Sequence, residues 1–193
     1  LANMHDLFAN GTKAIFLHGF GGVGKTSLAR RFAELYSGEY DCVQFHRYTK
    51  DLSTIIDDYM INTKADDQNS HRKQLKKICE NTKALILIDN CDVEDDEDLE
   101  YLLSLNVNLI FTTRNDYTQY ISSEKIEIVE LESLPTEDLM VVFKNEYEKP
   151  LSEFEEELVE ELIEKFGNLT ILVPIIAKQI LASRISIEEF AES

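Results

Sequence analysis

The sequence predicts an α/β fold: a five-stranded parallel sheet flanked by helices, followed by a small all-helical unit. Three observations carry that prediction. Short apolar runs alternate with helically spaced segments through the first two thirds of the chain, as in successive βαβ units. The first central run, Ala14 to His18, opens directly onto a glycine-rich loop and then a helical pattern. After Pro135 the strand signals stop and only helical spacing remains.

Residues 1 to 10 place Leu1, Met4, Leu7 and Phe8 on one helical face and end at Asn10-Gly11, a glycine stop. Ala14 to His18 is the first buried strand. The loop that follows, Gly19-Phe20-Gly21-Gly22-Val23-Gly24-Lys25-Thr26, fits GxxxxGK[ST] at every fixed position, and a helix runs from Lys25 to about Tyr36. The chain has seven glycines, and four of them fall within the six residues from Gly19 to Gly24, which argues against an ordinary strand-to-helix turn. Polyphosphate must meet several backbone N–H groups at once, and a loop poor in Cβ atoms lets the backbone approach. The helix start adds its N-terminal amides and the positive end of its dipole. Lys25 supplies a point charge to terminal phosphates and Thr26 a hydroxyl to Mg²⁺, a cation that prefers hard oxygen ligands. Gly19, Gly21, Gly22, Val23, Gly24, Lys25, Thr26 and Ser27 are therefore the candidate phosphate contacts of a P-loop.

Cys42 to Phe45 is β-rich enough for a second strand. Residues 51–61 have helical spacing, with Asp51 or Ser53 as cap, residues 62–69 read as a loop, and Ser70 to Glu80 as a helix with Leu75, Ile78 and Cys79 inward. Its outward Arg72, Lys73, Lys76 and Lys77 fit a solvated face or a partner patch. Ala84 to Asp89 is five apolar residues ending in an acid, as a buried parallel strand delivers a carboxylate to the edge of the sheet where the phosphate loop sits. Asp89 is the second Mg²⁺ anchor in that geometry, or else the cap of the next helix. Asn90 follows it and cannot act as a base; Asp92, one turn further on, is the nearby carboxylate available to substitute.

The acidic run Asp92 to Glu100 lacks the turn glycine of a calcium loop and reads as an exposed helix start leading to Leu99, Leu102, Leu103 and Leu105. Val107 to Thr113 is another buried strand, ending at Arg114, an arginine placed to read a γ-phosphate or simply a surface side chain. Lys125 to Leu131 alternates as a half-exposed fifth strand. Helices follow over Thr136 to Tyr147, Ser152 to Phe166, Leu169 to Ser183 and Ser186 to Ala191. Ser152 and Glu155 form a capping box, and Phe154, Leu158, Leu162 and Phe166 an apolar stripe. The composition shift and the break at Lys149-Pro150 set the expected domain boundary, 1–148 against 149–193.

Composition sets outer limits. With 193 residues, 44% of them hydrophobic, the chain can bury one substantial core and a small second unit. No apolar run approaches the roughly twenty residues that cross a bilayer, and the opening LANMHDLF is not a signal peptide, so a cytoplasmic protein with no membrane partner is expected. Cys42, Cys79 and Cys91 have no CxxC spacing and read as reduced thiols. A net charge of -18 opposes direct contact with nucleic acid. The first residue is not methionine, and a longer parent protein is expected.

In order, these motifs resemble the nucleotide-binding core of the NB-ARC class of STAND signal-transduction P-loop ATPases. GFGGVGKTSLA matches the phosphate loop, LILIDNCD the strand with its acid, NLIFTTRN the sensor strand, and IVELESLPTEDLMVVF the leucine-spaced stretch that leads from a strand into a helix. The resemblance implies ATP/ADP and Mg²⁺ as ligands, with Lys25, Asp89, Asn90 and Arg114 as catalytic residues and Thr26 and Asp89 holding the metal. It also implies that residues 149–193 begin an ARC-type helical lid that the chain does not complete. Three departures stand out. The family's second acid is Asn90 here; Thr170 stands where its GLPL motif has an adenine-contacting proline, with Pro174 one turn later; and residues 1–13 hold no match to the upstream Gly-Arg segment. Thr170 and Pro174 are both carried as nucleotide contacts.

The resemblance implies an ATP/ADP switch in a signalling or defence protein, hydrolysing slowly and self-associating through this domain, with effector and sensor domains in the same longer chain. A nucleotide-stabilised scaffold without turnover is the alternative, supported by Asn90. A metabolic P-loop kinase would need an arginine-rich lid that is not visible, and a GTPase an NKxD tetrapeptide that is absent. The strand ending at Thr113 is expected between the strand of the phosphate loop and that of Asp89.

Overall fold

The computed structural model describes residues 1–49, 52–53, 68–93, 97–117, 125–183 and 185–192. These fall into two compact units, one of residues 1–19 with 25–130 and one of residues 20–24 with 131–193. The first unit contains α1 (Ala2–Ala9), β1 (Ala14–His18), α2 (Lys25–Tyr36), β2 (Cys42–Arg47), α3 (Gln68–Cys79), β3 (Ala84–Asp89), α4 (Glu97–Ser104), β4 (Asn108–Thr113) and β5 (Ile126–Glu130). The helix expected over 51–61 and the loop over 62–67 fall outside the described residues, Leu52 and Ser53 excepted.

All strand pairs are parallel and the order is β2-β3-β4-β1-β5, with the Thr113 strand between those of the phosphate loop and Asp89, as expected. The three central strands are apolar in succession rather than alternating, because helices cover both faces of a parallel sheet. β5, on one edge, is half-exposed without strict alternation, and β2, on the other edge, alternates. Phe16 of β1 stacks on Phe111 of β4 at 4.5 Å and on Tyr117 at 4.7 Å. Around them, Leu52, Leu75, Ile86, Leu99, Leu102 and others close one continuous core. The chain leaves β1 toward one edge of the sheet and leaves β4 toward the other. Such a reversal opens a crevice at the carboxyl ends of the strands.

One detail of the first unit differs from expectation. Ile78 is 42% exposed, although Leu75 and Cys79 are buried. Leu75, Cys79 and half-buried Arg72 share the inward face, and a neighbour in sequence points about 100° away from it. The three cysteines are free thiols, and burial first, then the neighbouring Cys42, pushes the Cys79 thiol up to about 11, as befits a packing residue.

The second unit contains α5 (Thr136–Tyr147), α6 (Glu153–Lys165), α7 (Leu172–Ser183) and α8 (Ile187–Ala191). Leu139, Met140 and Phe143 of α5 share one core with Val159 and Ile163 of α6, Val173, Ile176 and Ile180 of α7, and Ile187 of α8. The packing therefore divides after Glu130, not at the expected 148/149. Lys149-Pro150 separates two helices of one unit, and the change in composition after β5 marks the change in packing. The expected capping box of Ser152 with Glu155 is formed, and Ser186 with Glu189 makes a second.

The expected stripe on α6 is corrected. Phe154 and Phe166 are 58% and 39% exposed, while Val159, Leu162 and Ile163 are buried. At 3.6 residues per turn, positions twelve apart lie about 120° apart around the axis, so an i, i+4 row cannot keep both ends on one core. Among the described residues, no helix is long and apolar enough to cross a membrane.

Candidate functional site

β1, β3 and β4 end together on the carboxyl edge of the sheet. The register pairs His18 with Thr113, and Ile88 with Phe111 one strand over, which brings Asp89, Thr112, Thr113 and Arg114 to one edge beside the start of α2. Lys25 and Thr26 are the first residues of α2, where backbone N–H groups have no intrahelical acceptor. The Thr26 hydroxyl donates to Asp89 Oδ1 at 2.6 Å, and Thr112 donates to the same oxygen at 2.7 Å. Lys25 is buried, and its Nζ donates to the Gly19 carbonyl at 2.6 Å. Burial lowers the Lys25 pKa; Asp92 and Asp89 push it back up, and Arg114 adds to the lowering.

Of the other loop positions, Gly22 and Gly24 need glycine most. Both have positive φ, +86° and +108°, and a Cβ on Gly22 would come within 2.6 Å of Ile171 Cγ2. Gly22 also accepts a hydrogen bond from the Ile171 amide at 3.1 Å. Gly21, Gly22, Val23 and Gly24 group with the helical unit, and so do Thr170 and Pro174. Pro174 sits in the first turn of α7, where its missing N–H costs no helix bond. Thr170 precedes the helix with a buried hydroxyl that has no hydrogen-bond partner. Ser27 is exposed on the first turn of α2.

Arg114 is not an isolated cation. Its backbone N–H donates to Asp92 Oδ1 at 2.7 Å, its Nε to Oδ2 at 2.8 Å, and its Nη2 lies 2.6 Å from Oδ2. Thr113 Oγ1 donates to Oδ1 at 3.2 Å. Burial alone would raise the Asp92 pKa, but these hydrogen bonds and the Arg114 charge hold it below the usual carboxylate range. Asp92 is thus committed and a poor proton acceptor. Asn90, in the left-handed region at φ +58°, donates its backbone N–H to Thr112 Oγ1 and leaves its side chain exposed.

Sequence reading missed Thr112, whose only signal was its place in the Thr-Thr-Arg strand end, and Tyr117. The Tyr117 hydroxyl accepts from the Val93 amide at 3.0 Å and lies 3.0 and 2.5 Å from the Cys91 and Val93 carbonyls, gripping the backbone on both sides of Asp92. A buried tyrosine needs such a partner, and burial pushes its pKa well up.

The residues fit a hard divalent cation with a polyphosphate. Hydroxyl and carboxylate oxygens converge at Thr26 and Asp89, an ammonium lies beside them, and open helix amides face the same edge. The NB-ARC domain family model matches residues 3–150. The chain belongs to the NB-ARC family. It is a nucleotide-binding domain of the P-loop ATPase type.

Solved structures extend the likeness of this NB-ARC chain in fold. One is the Drosophila ORC bound to DNA, at TM-score 0.67 and 15% identity, over 94% of this chain and 59% of that one. Another is a STAND protein with a tetratricopeptide repeat sensor from Pyrococcus horikoshii, at 0.64 and 20%, over 99% and 31%. A third is the RuvB of Thermotoga maritima, at 0.59 and 13%, over 93% and 58%. The chain therefore spans from about a third to under two thirds of these relatives' lengths. No curated protein sequence matches it.

Proposed function

We propose that this NB-ARC domain is an adenine-nucleotide switch: it binds ATP or ADP with Mg²⁺, hydrolyses ATP slowly, and couples the bound state to self-association within a longer cytoplasmic signalling or defence protein. The observation that carries the reading is the convergence of Lys25, Thr26, Asp89 and Thr112 on one edge of the sheet, with Arg114 beside them. Thr26 and Asp89 would hold the metal, which would supply charge neutralisation to the phosphates. Lys25 and the first-turn amides of α2 hold the phosphates, and Gly19, Gly21, Gly22, Val23, Gly24 and Ser27 line their path. Thr170, which stands where the family's motif has its adenine-contacting proline, and Pro174 one turn later would be the adenine contacts. The unpartnered Thr170 hydroxyl is the one feature of that pair that invites a ligand. The helical unit would begin the ARC-type lid, and effector and sensor domains would lie in the same longer chain. The net charge of -18 favours protein and nucleotide partners over nucleic acid.

A reading without turnover has its own support. Asn90 cannot take a proton from water, and Asp92, the nearby carboxylate, is held by Arg114. Denaturing the purified protein and chromatographing the released nucleotide separates the outcomes. Near-stoichiometric ADP supports a hydrolysing switch, ATP supports the scaffold, and no nucleotide in the parent or after loading with Mg²⁺ and ATP overturns both. Lys25→Ala should lower nucleotide affinity by at least about tenfold with the fold intact, since charge-assisted contacts of this kind contribute roughly 1.5 to 3 kcal/mol. Calorimetry checks this.

A further inference from the structure

We infer that Asp92 is the resting counter-ion of Arg114, and that the terminal phosphate of a nucleoside triphosphate competes with Asp92 for that guanidinium, so that partner exchange at Arg114 is what distinguishes triphosphate from diphosphate. This rests on the nucleotide-switch reading. It adds a positioning residue that sets how much of the triphosphate's extra binding is spent on breaking an internal pair.

The two partners are held very differently. Asp92 is 19% exposed and fixed on both sides, since Tyr117 grips Cys91 and Val93 and the Cys91 amide donates to the Thr112 carbonyl at 2.8 Å. The Arg114 side chain is 61% exposed, while its backbone is pinned by the hydrogen bond to Asp92 Oδ1 and by His18 Nε2, 3.0 Å from its carbonyl oxygen. The carboxylate is the fixed post and the guanidinium the swinging arm. Both Nε and Nη2 meet one oxygen, Oδ2, a fork that suits a phosphate equally well. The pair also lies within the electrostatic reach of Lys25, the phosphate lysine.

A diphosphate gives the guanidinium no reason to leave Asp92, because nothing occupies the terminal position. A triphosphate does, and its net gain is the phosphate contact minus the lost pair. A ligand shifts such an equilibrium only through its differential interaction with the two states. Removing the competitor therefore strengthens triphosphate binding relative to diphosphate. The pair is partly solvated, so the effect is modest.

The test compares the parent, Asp92→Asn, Arg114→Ala and the double variant, with Kd measured by calorimetry for ADP and a non-hydrolysable ATP analogue, each with Mg²⁺. The asparagine keeps an oxygen for the Arg114 amide and loses the charge. The ratio of triphosphate to diphosphate affinity should rise about 2- to 5-fold in Asp92→Asn and be unchanged by that substitution when Arg114 is alanine. A second readout needs no variant to fold: the Arg114 Nε–H resonance of the parent should move on adding the triphosphate analogue and stay in place with ADP. An unchanged or lowered ratio in Asp92→Asn, or a resonance indifferent to the triphosphate, overturns the exchange while leaving nucleotide binding intact. A parent that binds neither nucleotide removes the switch reading and this inference with it.

Discussion

Asn90 stands at φ +58° at the end of β3, and its exposed amide follows immediately after the carboxylate that meets Thr26. Asparagine and aspartate both tolerate that backbone, so chemistry and not strain separates them. Asn90→Asp should therefore leave the melting temperature nearly unchanged and raise single-turnover ATP hydrolysis at equal nucleotide occupancy. The parent rate should fall well below the roughly 1 to 100 s⁻¹ of kinases. A parent turning over at several per second would show that a base is not what limits it. Asp92 makes a separate prediction. Its folded-state pKa is depressed, so its ionised form stabilises the native state above the unfolded value of about 3.9, and that stability is lost as pH falls through the folded value. Denaturant titrations of parent and Asp92→Asn should differ by about 1 kcal/mol near pH 6 and converge in acid. A constant gap down to acid pH would show that Asp92 contributes packing alone.

Elements with a single physical requirement could be read from the sequence alone. β1 and β3 are each a short apolar run with one polar residue at its end, and a run buried on both faces has no register to mistake, so Ala14–His18 and Ala84–Asp89 match to the residue. The two helix starts at Ser152 and Ser186 are equally plain, because a capping box is a local bond pattern. Helix faces were harder. α6 carries apolar residues on two overlapping rows, and only the partners in α5, α7 and α8 decide that Val159 and Ile163 go inward and Phe154 outward. The site divides in the same way. Lys25, Thr26 and Asp89 follow from a motif and a strand end, but the Asp92–Arg114 pair joins two loops whose meeting depends on β3 and β4 being neighbours. At this scale, Ser152→Ala should cost about 1 kcal/mol by removing an acceptor for the Glu155 amide and a partner for its carboxylate. Chemical denaturation measures it, and an unchanged midpoint would mean that α6 is held by its core face alone.

At the scale of the molecule, two cores lie in one chain, one around Phe16 and Phe111 and one around Phe143 and Val159. Composition placed their division at the helix break, whereas packing places it after β5, because α5 buries Leu139 and Phe143 in one core with the helices that follow it. The side chains proposed to meet phosphate and metal at the sheet edge, Lys25, Thr26 and Asp89, belong to the first core's unit, and this sets how nucleotide should act on unfolding. A ligand that binds only the native state stabilises it by RT ln(1 + [L]/Kd), about 2.7 kcal/mol at a hundredfold excess over Kd. For a domain of this size, each kcal/mol moves the melting temperature by about 2 to 4 °C. ADP with Mg²⁺ should thus raise the transition of the α/β unit by several degrees. Lys25→Ala should lose most of that shift at the same ADP concentration, because its Kd is weaker. Near-ultraviolet circular dichroism assigns the transition, since tyrosines 36, 40, 48, 59, 101, 117 and 120 all precede β5 and only Tyr147 lies in the helical segment. Should ADP raise the melting of parent and Lys25→Ala equally, the stabilising contact is not the Lys25 edge, and the phosphate site must be sought elsewhere on the chain.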